Sequence, residues 1–365
     1  MARHVFYHDA PILQLEAFIM ESPHAQRKNE HLSLAAKLYA KNHETHPFDD
    51  VQLVHNPLPE INLADVSTTV QLGPLTLEQP FYIEAMTGGS KQSAQINQKL
   101  AQVAAKHHLA MATGSASIMI KDPATADSFK VVRREDPDGL VFANLSASAT
   151  RKQAQAAIDA LNADALELHV NAVQELTMAD GDRNFHWLIN ISQLTRALDV
   201  PVIVKEVGFG MSKEAIQALT DMGVTLINVS GRGGTNFANI ENRRNRHEDL
   251  HELLDWGQTT PESLLEARQG RSNSTTIISS GGVCSPLDVV KSGVLGAQAV
   301  GVAGYFLNIL QHQGIDALDD EISRWEVELP RLLALLGCSS FTDLSRKPFV
   351  LHGATYEYAL QRHLI

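Results

Sequence analysis

Residues 165–175 read Ala165-Leu166-Glu167-Leu168-His169-Val170-Asn171-Ala172-Val173-Gln174-Glu175, an apolar run of strand character that ends by presenting His169, Asn171, Gln174 and Glu175 within one short turn. An imidazole, two amides and a carboxylate at one strand end carry too much polar chemistry for packing, and such a set can hold an oxygen-liganded metal beside an anionic substrate. The same alternation recurs along the chain. Short β-rich runs lie at 81–86, 109–113, 140–144, 165–169, 201–207, 226–230, 275–280 and 297–302, with stretches of helical period at 93–106, 152–161, 187–198, 213–222 and 260–267. Eight strand-and-helix units in succession predict an α/β fold, a closed (β/α)8 TIM barrel with an N-terminal arm and a C-terminal helical extension. A doubly wound open sheet is the alternative.

A barrel of this kind gathers its functional groups where strands end and loops begin. All eight ends here are polar or glycine-bearing: Met86-Thr87-Gly88-Gly89, Thr113-Gly114-Ser115, Asn144-Leu145-Ser146, His169 to Glu175, Lys205 to Gly208, Ser230 to Thr235, Ser280-Gly281-Gly282 and Ala303-Gly304. A single glycine pair commonly marks no more than a turn that needs positive φ, but a whole rim of such ends points to a ligand. Gly281-Gly282 and Ala303-Gly304 follow the seventh and eighth runs, where such barrels bind phosphate through backbone N–H groups and a helix N-terminus, so a phosphorylated cofactor is predicted there. Lys205 ends the apolar run Val202-Ile203-Val204. An ammonium in that place must meet an anion, with neighbouring Glu206 the plain choice, or a polarisable ring such as a flavin.

Composition narrows the class further. The formal charge of -12 opposes general adhesion to nucleic acid or an anionic membrane, so a small-molecule ligand held by a few local cations fits better. Cys284 and Cys338 are the only cysteines and lie far apart, which gives no disulfide framework and suits a reducing compartment. Neither a bilayer-spanning apolar run of about 20 residues nor a signal-peptide pattern is seen, so a cytoplasmic location is expected.

Six motifs carry a resemblance: Arg27-Lys28-Asn29-Glu30-His31, Ala85-Met86-Thr87-Gly88-Gly89, Gly114-Ser115, His169 to Glu175, Lys205-Glu206-Val207-Gly208-Phe209-Gly210, and Gly231-Arg232-Gly233-Gly234-Thr235 followed by Ile240-Glu241-Asn242-Arg243. Together they span roughly residues 27–310, and the chain resembles the type 2, flavin-dependent isopentenyl-diphosphate isomerases. The resemblance implies interconversion of isopentenyl and dimethylallyl diphosphate in isoprenoid biosynthesis by proton addition and elimination, with reduced FMN as the acid–base cofactor, Mg2+, and NADPH as reductant. By the same resemblance FMN is held by Ala85, Met86, Thr87, Ser115, Asn144, Lys205, Ser230, Thr235, Gly281, Gly282, Ala303 and Gly304. Arg27, Lys28, His31, Ser115, Ser117, His169, Asn171 and Gln174 are implied for the substrate, Gln174 and His169 for catalysis, and Glu175 for the metal. Ser117 stands where many members carry arginine, and Lys121 or His31 is the candidate replacement.

The implied organisation is an N-terminal extension at 1–26 and one FMN-binding barrel domain at 27–365, with a substrate arm at 27–50, the barrel at about 80–318 and C-terminal helices at 319–365. Residues 1–19 are expected to be dispensable, with Met20 a natural start. The arm is expected to fold over the barrel mouth when substrate binds, and 231–258, with Arg232, Arg243, Arg244 and Arg246, to act as a lid ordered by an anion. A homo-oligomer, tetramer or octamer, is implied, with the segment around Trp325 to Leu336 as an interface. An FMN-dependent 2-hydroxy-acid oxidase and a non-catalytic flavin-binding barrel are the alternatives. The oxidase needs a histidine base after the later strands, which Gly231 to Thr235 and Ser280 to Val283 do not supply.

Overall fold

Parallel pairing decides where the rim lies. In a computed structural model that describes residues 23–39, 46–178, 181–244 and 249–365, all eight β-rich runs form strands of one closed parallel barrel. These are β1 (Phe81–Ile83), β2 (Met111–Ala112), β3 (Val141–Ser146), β4 (Ala165–His169), β5 (Val202–Lys205), β6 (Leu226–Asn228), β7 (Thr276–Ser280) and β8 (Ala299–Val302). The barrel closes where β8 meets β1 in register, Val300 opposite Phe81, Gly301 opposite Tyr82 and Val302 opposite Ile83. Several strands are shorter than their apolar runs. β1 ends at Ile83 and β5 at Lys205, while Glu84 N and Glu206 N still donate to Val302 O and Asn228 O of the adjacent strands.

The surrounding helices begin where the sequence supplies caps. Ser90, Thr150, Ser212, Thr259 and Ser285 each accept a backbone N–H of the first turn, with full capping boxes at Thr150 and Thr259. Each such cap satisfies N–H groups that the helix itself cannot, a contribution of about 1 kcal/mol. Their apolar faces close on barrel strands that are buried on both sides, which is why those strands read as continuous apolar runs.

Four short strands were not legible in the sequence. Val51–Leu53 pairs antiparallel with Phe349–Leu351, which joins the chain ahead of the barrel to its end. A hairpin of Val70–Leu72 and Leu75–Leu77 turns at Gly73, φ +59°. Strands of three residues show too little alternation to be recognised.

The long helix Ile315–Leu335 corrects one expectation. Trp325 is fully buried, with ring centroids 5.2 Å from Phe81 and 5.1 Å from Phe306, and its Nε1 donates to Glu321 Oε1 at 2.8 Å. Leu329 and Leu333 share that inner face. The aromatic read as part of an interface therefore belongs to the core, and Val327 and Leu335 are the large apolar side chains this helix exposes. No described helix is long and apolar enough to cross a membrane. The extension at 1–19, part of the arm at 40–45, and Arg246 lie outside the described residues.

Candidate active site

A cavity of about 590 Å3 opens over the C-terminal ends of the strands. The helix Pro23–Tyr39 lies over its mouth, so the arm is seated there. Arg27, Lys28, His31, Ala85, Met86, Thr87, Ser115, Ser117, Asn144, His169, Gln174, Glu175, Lys205, Ser230, Thr235, Gly281, Gly282, Ala303 and Gly304 all line this one space. Asn171 does not. Its side chain caps the helix Ala172–Thr177 by accepting from Gln174 N at 3.0 Å, while its Nδ2 donates to Gln174 Oε1 at 2.7 Å. Asn171 thus orients Gln174, whose amide Nε2 is left as the group to meet a ligand.

The floor is a buried charge network that crosses the barrel. Lys205 Nζ, at the end of β5, lies 3.3 Å from Glu84 Oε1, so the partner of this lysine is Glu84 and not neighbouring Glu206. Glu84 also accepts from Ala85 N at 2.7 Å, Tyr82 Oη at 2.9 Å and Asn228 Nδ2 at 2.6 Å. Glu167 on β4 faces Glu84 and takes Asn144 Nδ2 at 2.8 Å, while its Oε1 has no hydrogen-bond partner among the described residues. Burial pushes both carboxyls up. At Glu84 the charge of Lys205 and its donors outweigh burial and hold it below the ordinary range, whereas burial and the charge of Glu84 hold Glu167 well above it. Glu84 is therefore the anion and Glu167 the neutral acid. Two carboxyl groups thus share the floor. The signal for it was Glu84 at the end of Phe81-Tyr82-Ile83, a lone charge in an apolar strand just like Lys205, but nothing along the chain shows that the two meet across a barrel.

His169 continues the network. Its Nδ1 lies 2.9 Å from Asn144 Oδ1. Since Asn144 gives its amide N–H to Glu167, Oδ1 accepts from His169, and Nε2 is left as an acceptor toward the cavity. Burial, then Lys28 and Lys205, lower the His169 pKa to about 3. The ring is neutral, so it brings no positive charge to a diphosphate.

Glycine shapes the opposite wall. A Cβ on Gly281 (φ +97°) would lie 2.0 Å from Gly231 O, and one on Gly282 (φ +76°) 2.6 Å from Pro47 Cγ. Backbone thus approaches backbone too closely for any side chain. Beside it the helix Gly304–Gln313 starts at Ala303 with no side-chain cap, unlike the five helices capped by serine or threonine. Uncapped N–H groups at a helix N-terminus that lines a cavity suit a phosphate, and a buried cation at the floor suits a flavin ring, so the donor set fits FMN.

At the mouth, Lys28 is held down to about 8 by burial and then by Arg27, against the pull of Glu241. His31 Nε2 lies 2.7 Å from buried Glu241 Oε1, and burial keeps its pKa below the usual value. Glu241 was quoted only within a motif, and its role in seating the arm was missed. Lys121 lines the cavity one helical turn after Ser117, on the same face of Ser117–Lys121. Glu175 also lines it and accepts from Asp182 N at 2.6 Å. Among the described residues no cluster of three histidine, cysteine or acidic ligands includes Glu175.

The described parts of the segment, 231–244 and 249–258, carry the helix Phe237–Arg244, and the described arginines are engaged: Arg232 Nη1 donates to Asp255 O at 3.0 Å, Arg243 Nε to Asn239 Oδ1 at 3.3 Å, and Arg244 to Glu241 at 2.6 Å and Glu30 at 2.9 Å.

The family model described as FMN-dependent dehydrogenase matches residues 124–351. The chain is 63% identical over 347 residues to the isopentenyl-diphosphate delta-isomerase of Limosilactobacillus reuteri subsp. reuteri (strain JCM 1112), covering 95% of this chain and 100% of that relative. The chain belongs to the isopentenyl-diphosphate delta-isomerase family. A second member, from Latilactobacillus sakei subsp. sakei (strain 23K), is 44% identical over 94% of this chain and 98% of its own length. Together with the flavin-family match, these relatives place the chain in the FMN-dependent, type 2 branch. Among solved structures, mandelate oxidase with (S)-2-phenylpropionate superposes with TM-score 0.59 at 16% identity, covering 88% of this chain and 90% of that one. A second, with 3,3-difluoro-2-hydroxy-3-phenylpropionic acid, gives 0.59 at 16% over 89% and 91%. These two carry the barrel fold alone, and the isomerase relatives carry the family.

The charge assignment on the floor makes an asymmetric prediction. Glu167→Gln replaces a neutral acid by a neutral amide and should cost under about 1.5 kcal/mol. Glu84→Gln strips the buried anion from Lys205 and should cost about 3 kcal/mol or more. Denaturant unfolding of both variants checks this, and the reverse order of stability would overturn the assignment.

Proposed function

We propose that this chain interconverts isopentenyl diphosphate and dimethylallyl diphosphate, with FMN on the rim, Mg2+ at Glu175 and NADPH as the source of reducing equivalents. The observation that carries this reading is convergence on one cavity of a buried lysine and a glycine cradle on one side, and of Arg27, Lys28 and Glu175 on the other. Bound FMN would supply the acid–base chemistry. The residues present bind, orient and exclude water.

Arg27 and Lys28 would clamp the diphosphate, the guanidinium by paired donors and the ammonium as a point charge. Lys121, which lines the same cavity, would stand in for the arginine absent at Ser117. His169, neutral and accepting at Nε2, would take a hydrogen bond from a substrate or cofactor N–H or from bound water. Gln174, oriented by Asn171, would donate to a substrate oxygen. The prenyl chain would meet Leu32, Leu145, Val207 and Phe237, all on the cavity wall. The reaction adds a proton at the terminal methylene and removes one from the carbon two bonds away, through a tertiary cationic state that water would trap. A dry apolar wall guards against that loss. The 2-hydroxy-acid oxidase reading is not favoured by the family, and no histidine stands at 231–235 or 280–283. A single barrel domain at 27–365, a dispensable extension at 1–19, a cytoplasmic location and a homo-oligomer, tetramer or octamer, belong to the same reading. Exposed Leu335, Leu360 and Ile365 offer apolar surface for such an assembly.

The test is anaerobic turnover of isopentenyl diphosphate by dithionite-reduced, FMN-loaded protein. Dimethylallyl diphosphate should form, formation should stop when Mg2+ is chelated, and it should resume on re-addition. No product at any Mg2+ concentration would refute the proposal. Lys28 adds a pH signature. In the free enzyme its charge is present below about pH 8 and lost above it, so kcat/KM should fall as pH rises through about 8. Lys28→Arg, which keeps its charge, should move that fall to higher pH, and an unchanged profile would remove Lys28 from diphosphate binding.

A further inference from the structure

Beside the cavity, outside its lining, three side chains of different chemistry converge. His46 stands just ahead of the strand Val51–Leu53, Cys284 follows the Gly281-Gly282 turn, and Asp288 lies in the first turn of the helix Pro286–Val294. Their ligand atoms all lie within 4.8 Å of one another. His46 Nε2 is 3.1 Å from Cys284 Sγ and 3.4 Å from Asp288 Oδ2. With zinc bonds of about 2.3 Å to sulfur and about 2.0–2.2 Å to nitrogen and oxygen, tetrahedral geometry sets neighbouring ligands about 3.3–3.6 Å apart. The two separations from His46 lie within about half an ångström of that spacing, so the imidazole faces both other ligands as a shared ion would require.

Electrostatics point the same way. The Asp288 side chain is only 6% exposed, and among the described residues the one ion-pair partner it has is His46, which is a cation only when protonated. Cys284 N also donates to Asp288 Oδ2, at 3.1 Å. Lys291, one turn along the same helix, donates to Phe48 O at 2.8 Å, and among the described residues no lysine or arginine forms an ion pair with Asp288. A buried carboxylate facing a thiol and an imidazole without such a pair is short of positive charge. We propose that His46, Cys284 and Asp288 bind a thiophilic divalent cation of the Zn2+ class, with water in the fourth position. Sulfur and imidazole ligands select such an ion over Mg2+, so this site is separate from the one at Glu175. Phe48 N donates to His46 Nδ1 at 3.4 Å, so the proton of the neutral ring sits on Nε2, facing Cys284 and Asp288. An ion bound at Nε2 would displace that proton.

The ion would act as a staple. It would join the chain at His46 to the turn that follows Gly282, against which Pro47 already packs. The site does not rest on the isomerase reading.

The test uses the full chain, freed of metal by chelation and then equilibrated with Zn2+ under saturating Mg2+. One Zn2+ should be retained per chain, and Cys284→Ala should lower zinc affinity at least roughly tenfold. Co2+ in place of Zn2+ should give a thiolate-to-metal charge-transfer band in the difference spectrum against Cys284→Ala. Equal zinc retention by the two proteins, or a cobalt complex without that band, would overturn the site. Should Cys284→Ala fail to fold, alkylation of Cys284 in the unaltered protein decides, with the modified peptide located by mass. Protection by Zn2+ supports the site, and undiminished alkylation refutes it.

Discussion

The closing pair of strands, β8 against β1, is the constraint on which the rest depends. Because all eight strands run the same way and the ring is complete, every strand end reaches one rim, and no edge is left to pair elsewhere. The closure also makes room for a charge. A Cβ on Gly301, opposite Tyr82 in the ladder, would lie 2.4 Å from Glu84 Oε2, so only glycine at that point lets a carboxylate enter the barrel top. Glu84 then reaches Lys205 from the far side of the ring. Backbone register, one missing side chain and one buried ion pair thus act as a single device.

Charge is divided between floor and mouth. On the floor one anion, Glu84, offsets one cation, Lys205, while Glu167 and His169 stay neutral through burial and the charges around them. The floor is therefore close to neutral, and an anionic ligand is not repelled by it. At the mouth Arg27 and Lys28 lie on a helix that is itself held by carboxylates, Glu241 to His31 and Glu30 to Arg244. A diphosphate would compete for cations already partly satisfied, which favours a ligand of high charge over a simple carboxylate.

Much of this was legible along the chain, for physical reasons. Barrel strands buried on both faces must be apolar throughout, and each must end in residues that turn the chain, so the runs at 141–146, 165–169 and 276–280 were plain. The glycine cradle was legible because Gly281 and Gly282 need positive φ. What stayed hidden depends on distance in space rather than on spacing in sequence. Glu84 and Lys205 are 121 positions apart, from 205 less 84, and Lys205 had a nearer candidate in Glu206, whose carboxylate instead accepts from Phe209 N and Gly210 N. Asn171 was assigned to substrate because it sits among ligands, yet it serves as a cap. Trp325 looked like an interface residue because an aromatic on an outer helix has no partner in its own sequence, whereas Phe81 and Phe306 supply one.

The central claim is that one rim brings a cofactor and a diphosphate together for a proton shift with no net oxidation. The most direct measurement is anaerobic turnover of isopentenyl diphosphate in deuterated water by the reduced, Mg2+-loaded protein, followed by proton and deuterium NMR. The account predicts dimethylallyl diphosphate with deuterium in the methyl group formed from the terminal methylene. Unchanged substrate from protein that retains its flavin, together with oxygen consumption on a 2-hydroxy acid, would contradict it.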